Sequence, residues 1–246
     1  MPPALSISQT GALVALIGAA TLPLANYLVN HIVDSQRRPI LQPLVVVVLV
    51  LAGTVVPALA IRWLVQNGWH SGDLPVDGAD APLLGLSLAV GLALIALALR
   101  GSLKTEFPRV IRLLLALFPV SLAEVLVFLS ILFNWIEKIA ASMVSSPWAS
   151  VAAIASAALF GLYHFTYPPP WNNWAQAARL FIVWLFVCLA YVLTRDAWAA
   201  SIIDASFATI GFVRNRVTTL DSVPISRAVA LDALSVGVVA AILGLA

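Results

Sequence analysis

The stretch Arg112–Trp135, RLLLALFPVSLAEVLVFLSILFNW, decides the fold class. About 20 mainly apolar residues are needed for a helix to cross roughly 30 Å of hydrocarbon, and this run supplies that length with one acid, Glu124, near its middle. Seven further runs of the same kind lie near 10–33, 40–65, 81–99, 148–167, 174–194, 196–213 and 228–245. The expected architecture is an all-α polytopic transmembrane bundle of about eight spans, folded as a single domain over 1–246. Pro23, Pro43, Pro57 and Pro119 fall inside apolar runs, where lipid-embedded helices tolerate proline if neighbours satisfy the freed carbonyls.

Composition agrees. The chain is 62% hydrophobic and only 10% charged, and its mean hydropathy is +1.02. A soluble domain carries roughly a quarter of its residues charged, so lipid rather than water meets most of this surface. The 13 basic residues are scattered in ones and twos, with no aromatic-basic stripe, and nucleic acid is not an expected partner. Cys188 is the single cysteine and offers no intrachain disulfide. The opening MPPALSISQT has no positive flank, so the first apolar run reads as a retained helix rather than a cleaved signal.

Loop charges give a direction. Arg37 and Arg38, then Arg100, Lys104, Arg109 and Arg112, then Arg214, Arg216 and Arg227 occupy alternate connections, while 66–80 carries Asp73, Asp77 and Asp80 and no base. The positive-inside rule then places the basic loops in the cytoplasm and both termini outside, in a plasma or bacterial inner membrane, with Arg62, Lys138 and Arg195 on the opposite side. Thr194, Arg195 and Asp196 alone separate the sixth and seventh spans, which predicts a tight helical hairpin. The loop FTYPPPWNNW, 165–174, is expected to be an extended polyproline connector at the interface, or else a lip over a substrate cavity.

A charge deep in a span costs several kcal/mol unless it is paired or hydrated, so each such group marks a candidate site. Glu124, His164 and Asp204 qualify, on the fourth, fifth and seventh spans. They are cheapest facing one another across one polar interior site. A carboxylate near an imidazole suits general-base activation of water. The same trio could bind a divalent metal such as zinc, carry protons in a transporter, or simply lock helices together. His31 beside Asn30 and Asp34, exterior His70, and Asp232 near Arg227 read as structural.

Residues 105–215 resemble the CPBP family, intramembrane proteases that include the CAAX prenyl endoprotease and bacterial bacteriocin-processing or immunity proteins. The first family motif is a Glu pair followed after two residues by Phe-Arg-Gly. In EVLVFLS, Glu124 and Phe128 match, while Val125, Leu129 and Ser130 replace the second Glu, the Arg and the Gly. The second motif, Phe-x-x-x-His, is intact from Phe160 to His164. In YVLTRDAWAASIIDASFAT, Asp204 and Ala208 stand where the family's last His and Asn are expected. The resemblance implies that Glu124 activates water in a glutamic or metal-dependent endopeptidase, that His164 assists or binds the oxyanion, and that Asp204 partly replaces the missing His. A membrane protein or peptide would be the substrate. The three apolar replacements are equally what an inactive member would show, one acting as an immunity factor, scaffold or accessory subunit on another membrane protein.

Overall fold

The computed structural model describes residues 9–32, 48–67, 80–143, 148–218, 220–221 and 223–244, and the regular elements among them are helical. Helix α1 (Gln9–Tyr27) continues as a π turn, Leu28–Ile32. A π turn, Leu51–Val55, leads into α2 (Val56–Gln66). Then come α3 (Ala81–Ala98) and α4 (Leu103–Val125), which runs through a π-helical stretch, Leu126–Phe133, into α5 (Asn134–Met143). After α6 (Trp148–Tyr163) and its 3-10 turn, His164–Thr166, follow α7 (Trp174–Thr194), α8 (Ala197–Arg214) and α9 (Ile225–Leu243).

Seven of these helical stretches are long and apolar enough to span a membrane, and the chain is an integral membrane protein. The exception is α8, the expected seventh span. Its Ser201, Asp204, Ser206 and Thr209 dilute its hydropathy, and all four are buried. Small buried residues, Ala197, Ala199, Ala200 and Ala205, let its neighbours approach closely, so α8 is sheathed by other helices rather than by lipid. Helix α4 is the second interior element: every residue from Ser121 to Ile131 is buried. Helix α3 is the opposite case, with only the stripe Ser87, Gly91, Ile95 buried, at four-residue spacing along one face. That stripe rests on α8, where a Cβ at Gly91 would stand 2.3 Å from Ser206 Oγ.

Helix α4 starts at Leu103, not at 112 as the hydropathy suggests. Arg109 and Arg112 read as loop residues, yet both lie on the helix, because the α8–α9 connection supplies their partners. Arg109 Nε donates to Asp221 Oδ1 at 2.9 Å and its Nη2 to Val217 O at 2.7 Å, and Arg112 Nη1 donates to Asp221 O. The same contacts put the basic residues of 98–112 and 214–221 at one end of the bundle, as their alternation predicted. At the opposite end, Arg195 pairs bidentately with Glu137 at 2.8 and 2.9 Å, and Arg62 Nη1 caps Ile242 O at 2.8 Å. Two of the cations on the acidic side are therefore neutralised or committed locally, which weakens their weight in any loop count. Arg37, Arg38, Asp34, Pro43, His70, Asp73 and Asp77 lie outside the described residues.

The hairpin between α7 and α8 is as tight as expected. Arg195 closes it in the left-handed region at φ 51°, and Asp196 Oδ1 caps α8 by accepting from Ala199 N at 2.9 Å. The proline loop differs from expectation. Instead of a fully extended segment it holds a turn in which Trp171 N donates to Pro168 O at 3.1 Å. The Trp171 ring stacks on Phe212 of α8, 5.5 Å between centroids, and Asn173 caps α7 by accepting from Gln176 N at 3.0 Å. These contacts bend the loop back onto the bundle.

Candidate active site

Helix α4 presents Glu124 one turn after Ser121 and just before the chain widens into the π-helical stretch. Wide turns of this kind recur at functional sites because they re-aim side chains that a regular helix would stack. The Glu124 residue is only 6% exposed. Helix α8 lies against this part of α4 and sets Asp204, 4% exposed, beside Glu124 and Ser121. Asp204 Oδ2 is fully buried and receives no hydrogen bond from any described protein group.

The third residue arrives from the end of α6. His164 opens the 3-10 turn, and its Nδ1 lies 2.9 Å from Phe160 O. A carbonyl only accepts, so Nδ1 carries the proton and the neutral ring has its lone pair on Nε2. This bond explains the four-residue Phe-His spacing: the histidine satisfies one of the carbonyls that a helix C-terminus leaves open. Phe160 in turn stacks on Trp184 of α7, 3.6 Å between centroids and 14° between planes. Trp184 Nε1 donates to Ser156 Oγ, which donates to Phe128 O. Phe128, Phe160 and Trp184 therefore form an aromatic wall that fixes α6 and α7 on the π-helical stretch after α4.

The structure sets Glu124 and Asp204 side by side and brings His164 to them only through a neighbour. The His164 ring stacks on Tyr167, 5.0 Å between centroids and 16° between planes, and the Tyr167 hydroxyl donates to Glu124 Oε1 at 3.2 Å. Since that proton points at Glu124, the Tyr163 hydroxyl, 2.9 Å away, is the donor to Tyr167. A chain of hydroxyls, Tyr163 to Tyr167 to Glu124, thus runs along one side of the acid. Neither tyrosine stood out in the sequence, where aromatic residues near a span end read as interfacial anchors. The available signal was their four-residue spacing around His164 in YHFTY.

Helix α1 reaches the same region. Asn26 Nδ2 donates to Thr166 Oγ1 at 2.8 Å, and Asn30 Nδ2 donates to Asn26 Oδ1 at 2.8 Å, so buried Asn26, backed by half-buried Asn30, ties α1 to the turn that carries His164. His31 is exposed and packs its ring on Tyr27, apart from this cluster. Asp232, read as an end-of-helix charge near Arg227, makes no ion pair with it among the described residues, and its Oδ1 is buried without a partner there. The family positions expected to be polar are filled by buried Val125 and Leu129 and by half-buried Ala208, which packs against the smaller apolar cluster that includes Ile95 and Leu113, and buried Ser130 stands at the expected Gly.

Zinc fits this arrangement poorly. Glu124 and Asp204 are adjacent, but His164 commits Nδ1 to a carbonyl and stacks on a phenol, and no group of three His, Cys, Asp or Glu among the described residues could hold a metal ion.

Residues 106–210, from the first turns of α4 to the last turns of α8, match the family model described as type II CAAX prenyl endopeptidase Rce1-like. No curated protein and no solved structure matches the chain.

Proposed function

Taking as premise that residues 106–210 are an Rce1-like membrane core, of the CAAX-protease kind that the motifs resemble, we propose that the chain is a divergent intramembrane endopeptidase in which Glu124 activates water. The observation that carries this reading is the pairing of buried Glu124 with Asp204, whose Oδ2 lacks a protein donor. A buried carboxylate oxygen left unsatisfied costs about 1–3 kcal/mol, and a water donating to it would lie against Glu124.

In this scheme Glu124 accepts a proton as the water oxygen bonds to the scissile carbonyl carbon. The C–N bond then breaks, and the proton passes from Glu124 to the departing amine. Tyr167 orients Glu124, and Asp204 orients the water. His164, with its lone pair on Nε2, is an acceptor in its neutral form, so it suits proton transfer better than binding an oxyanion. Peptide bonds near a membrane surface are the substrate class, and the family's description makes prenylated CAAX peptides the first to try. The basic end, with 98–112 and 214–221, is assigned to the cytoplasm and both termini to the outside.

The test is cleavage of a prenylated CAAX peptide, and of a panel of single-span membrane peptides, by purified chain in micelles. Wild type should release the C-terminal fragment and Glu124→Gln should not. Equal cleavage by the two would exclude Glu124 as the base. The replacements Val125, Leu129 and Ala208 are equally those of a second reading, a non-catalytic scaffold or immunity factor; a cellular phenotype that survives Glu124→Gln would select it.

A further inference from the structure

The turn Leu99–Ser102 between α3 and α4 separates two adjoining clefts of about 630 and 370 Å³, and Gly101 and Ser102 line both. Arg109, Arg214 and Arg216 wall the larger and Arg100 and Lys104 the smaller. The acids nearby are spoken for: Arg109 holds Asp221 at 2.9 Å and Glu106 at 3.4 Å. Arg100, Lys104, Arg214 and Arg216 have no acidic partner among the described residues. Arg214 uses one nitrogen, Nη2, to cap Ala98 O at 3.1 Å and keeps its other donors for a ligand. Four cations without acidic partners among the described residues, two on each of two adjoining clefts, define an anion site, and guanidinium groups match the oxygens of a phosphate.

The depth of the clefts selects the source of that phosphate. They open where α3 and α8 end, at the edge of the apolar span. Leu97, between the lining residues Ala96 and Ala98, is 66% exposed, and Phe107, next to the lining residue Glu106, is 54% exposed. A free phosphate has no use for this apolar border, whereas a phospholipid would lay its acyl chains along it and bring its headgroup to the arginines. We propose that these clefts bind the phosphodiester headgroup of an anionic phospholipid, with Arg214, Arg216, Arg100 and Lys104 as the recognising groups. The site involves none of the residues assigned to peptide hydrolysis and stands whether or not the chain is a protease.

The experiment is native mass spectrometry of the full chain in micelles doped with equal phosphatidylglycerol and phosphatidylcholine. Wild type should retain the anionic lipid preferentially. Lys104→Gln and Arg216→Gln remove cations whose side chains make no bond to the described residues, and each should lower that preference about fivefold, the weight of one cation near an anionic surface. Unchanged helicity and Tm of the variants exclude misfolding, and Arg227→Gln, outside both clefts, should leave retention unchanged. Equal retention of the two lipids by wild type, or an undiminished preference in the double variant, overturns the proposal. Displacement of the bound lipid by millimolar inorganic phosphate would reassign the clefts to free phosphate and overturn it too.

Discussion

The Tyr167 hydroxyl donates to Glu124 Oε1 at 3.2 Å across 43 positions of sequence, while the Tyr167 ring stacks on His164. One side chain thereby ties together two elements that carry the candidate acid and the candidate imidazole. Tyr167→Phe keeps the stack and removes only the hydroxyl. A hydrogen bond to a charged group contributes about 1.5–3 kcal/mol, so kcat for peptide cleavage should fall roughly 10- to 150-fold with KM little changed. A variant with unaltered kcat would show that Tyr167 merely packs.

Glu124 and Asp204 act on one water in the proposed mechanism, so their losses should not add. Loss of a general base costs about 10²- to 10⁴-fold, expected for Glu124→Gln, and Asp204→Asn should cost less. The double variant should be no worse than Glu124→Gln alone. Multiplicative losses in initial rates would mean that the two carboxyls serve separate steps.

Gly53 permits the approach of the π turn before α2 to α4 at the residue beside Glu124. A Cβ at Gly53 would stand 2.6 Å from Ala123 Cβ, with no flexible side chain to yield. Gly53→Ala should destabilise by about 1–3 kcal/mol, the usual cost of overpacking, and lower Tm in micelles. Adding Ala123→Gly frees the space and should restore part of the loss. Gly237→Ala on α9, which meets nothing within 4 Å, is the control and should be neutral or slightly stabilising.

Arg195 closes the α7–α8 hairpin at φ 51° and holds Glu137 with two hydrogen bonds. Both Arg195→Ala and Arg195→Gly lose the pair, but only alanine retains the left-handed penalty of about 1–2 kcal/mol. Thermal unfolding should therefore rank Arg195→Gly above Arg195→Ala. Wild type should be the most salt-sensitive of the three, because its half-buried ion pair is still partly screened.

Much of this arrangement could be read before any coordinates. Glu124, Asp204 and His164 were conspicuous because ionisable groups are costly in apolar runs. The early start of α4 was not legible: Arg109 and Arg112 look like loop residues until Asp221, over a hundred positions later, is seen to accept them. Tyr167 was hidden for a related reason, since a tyrosine beside prolines and tryptophans suits the interface equally well.

The chain alone determined that lipid is its solvent and that its elements are helices, because in hydrocarbon each span must satisfy its own backbone from within and apolar length suffices to specify it. Tertiary structure decided which helices are interior and which polar groups meet. That choice rests on small residues such as Gly53 and Gly91 and on single hydroxyls such as that of Tyr167. These act between segments far apart in sequence, where neither hydropathy nor helical period carries information about contact.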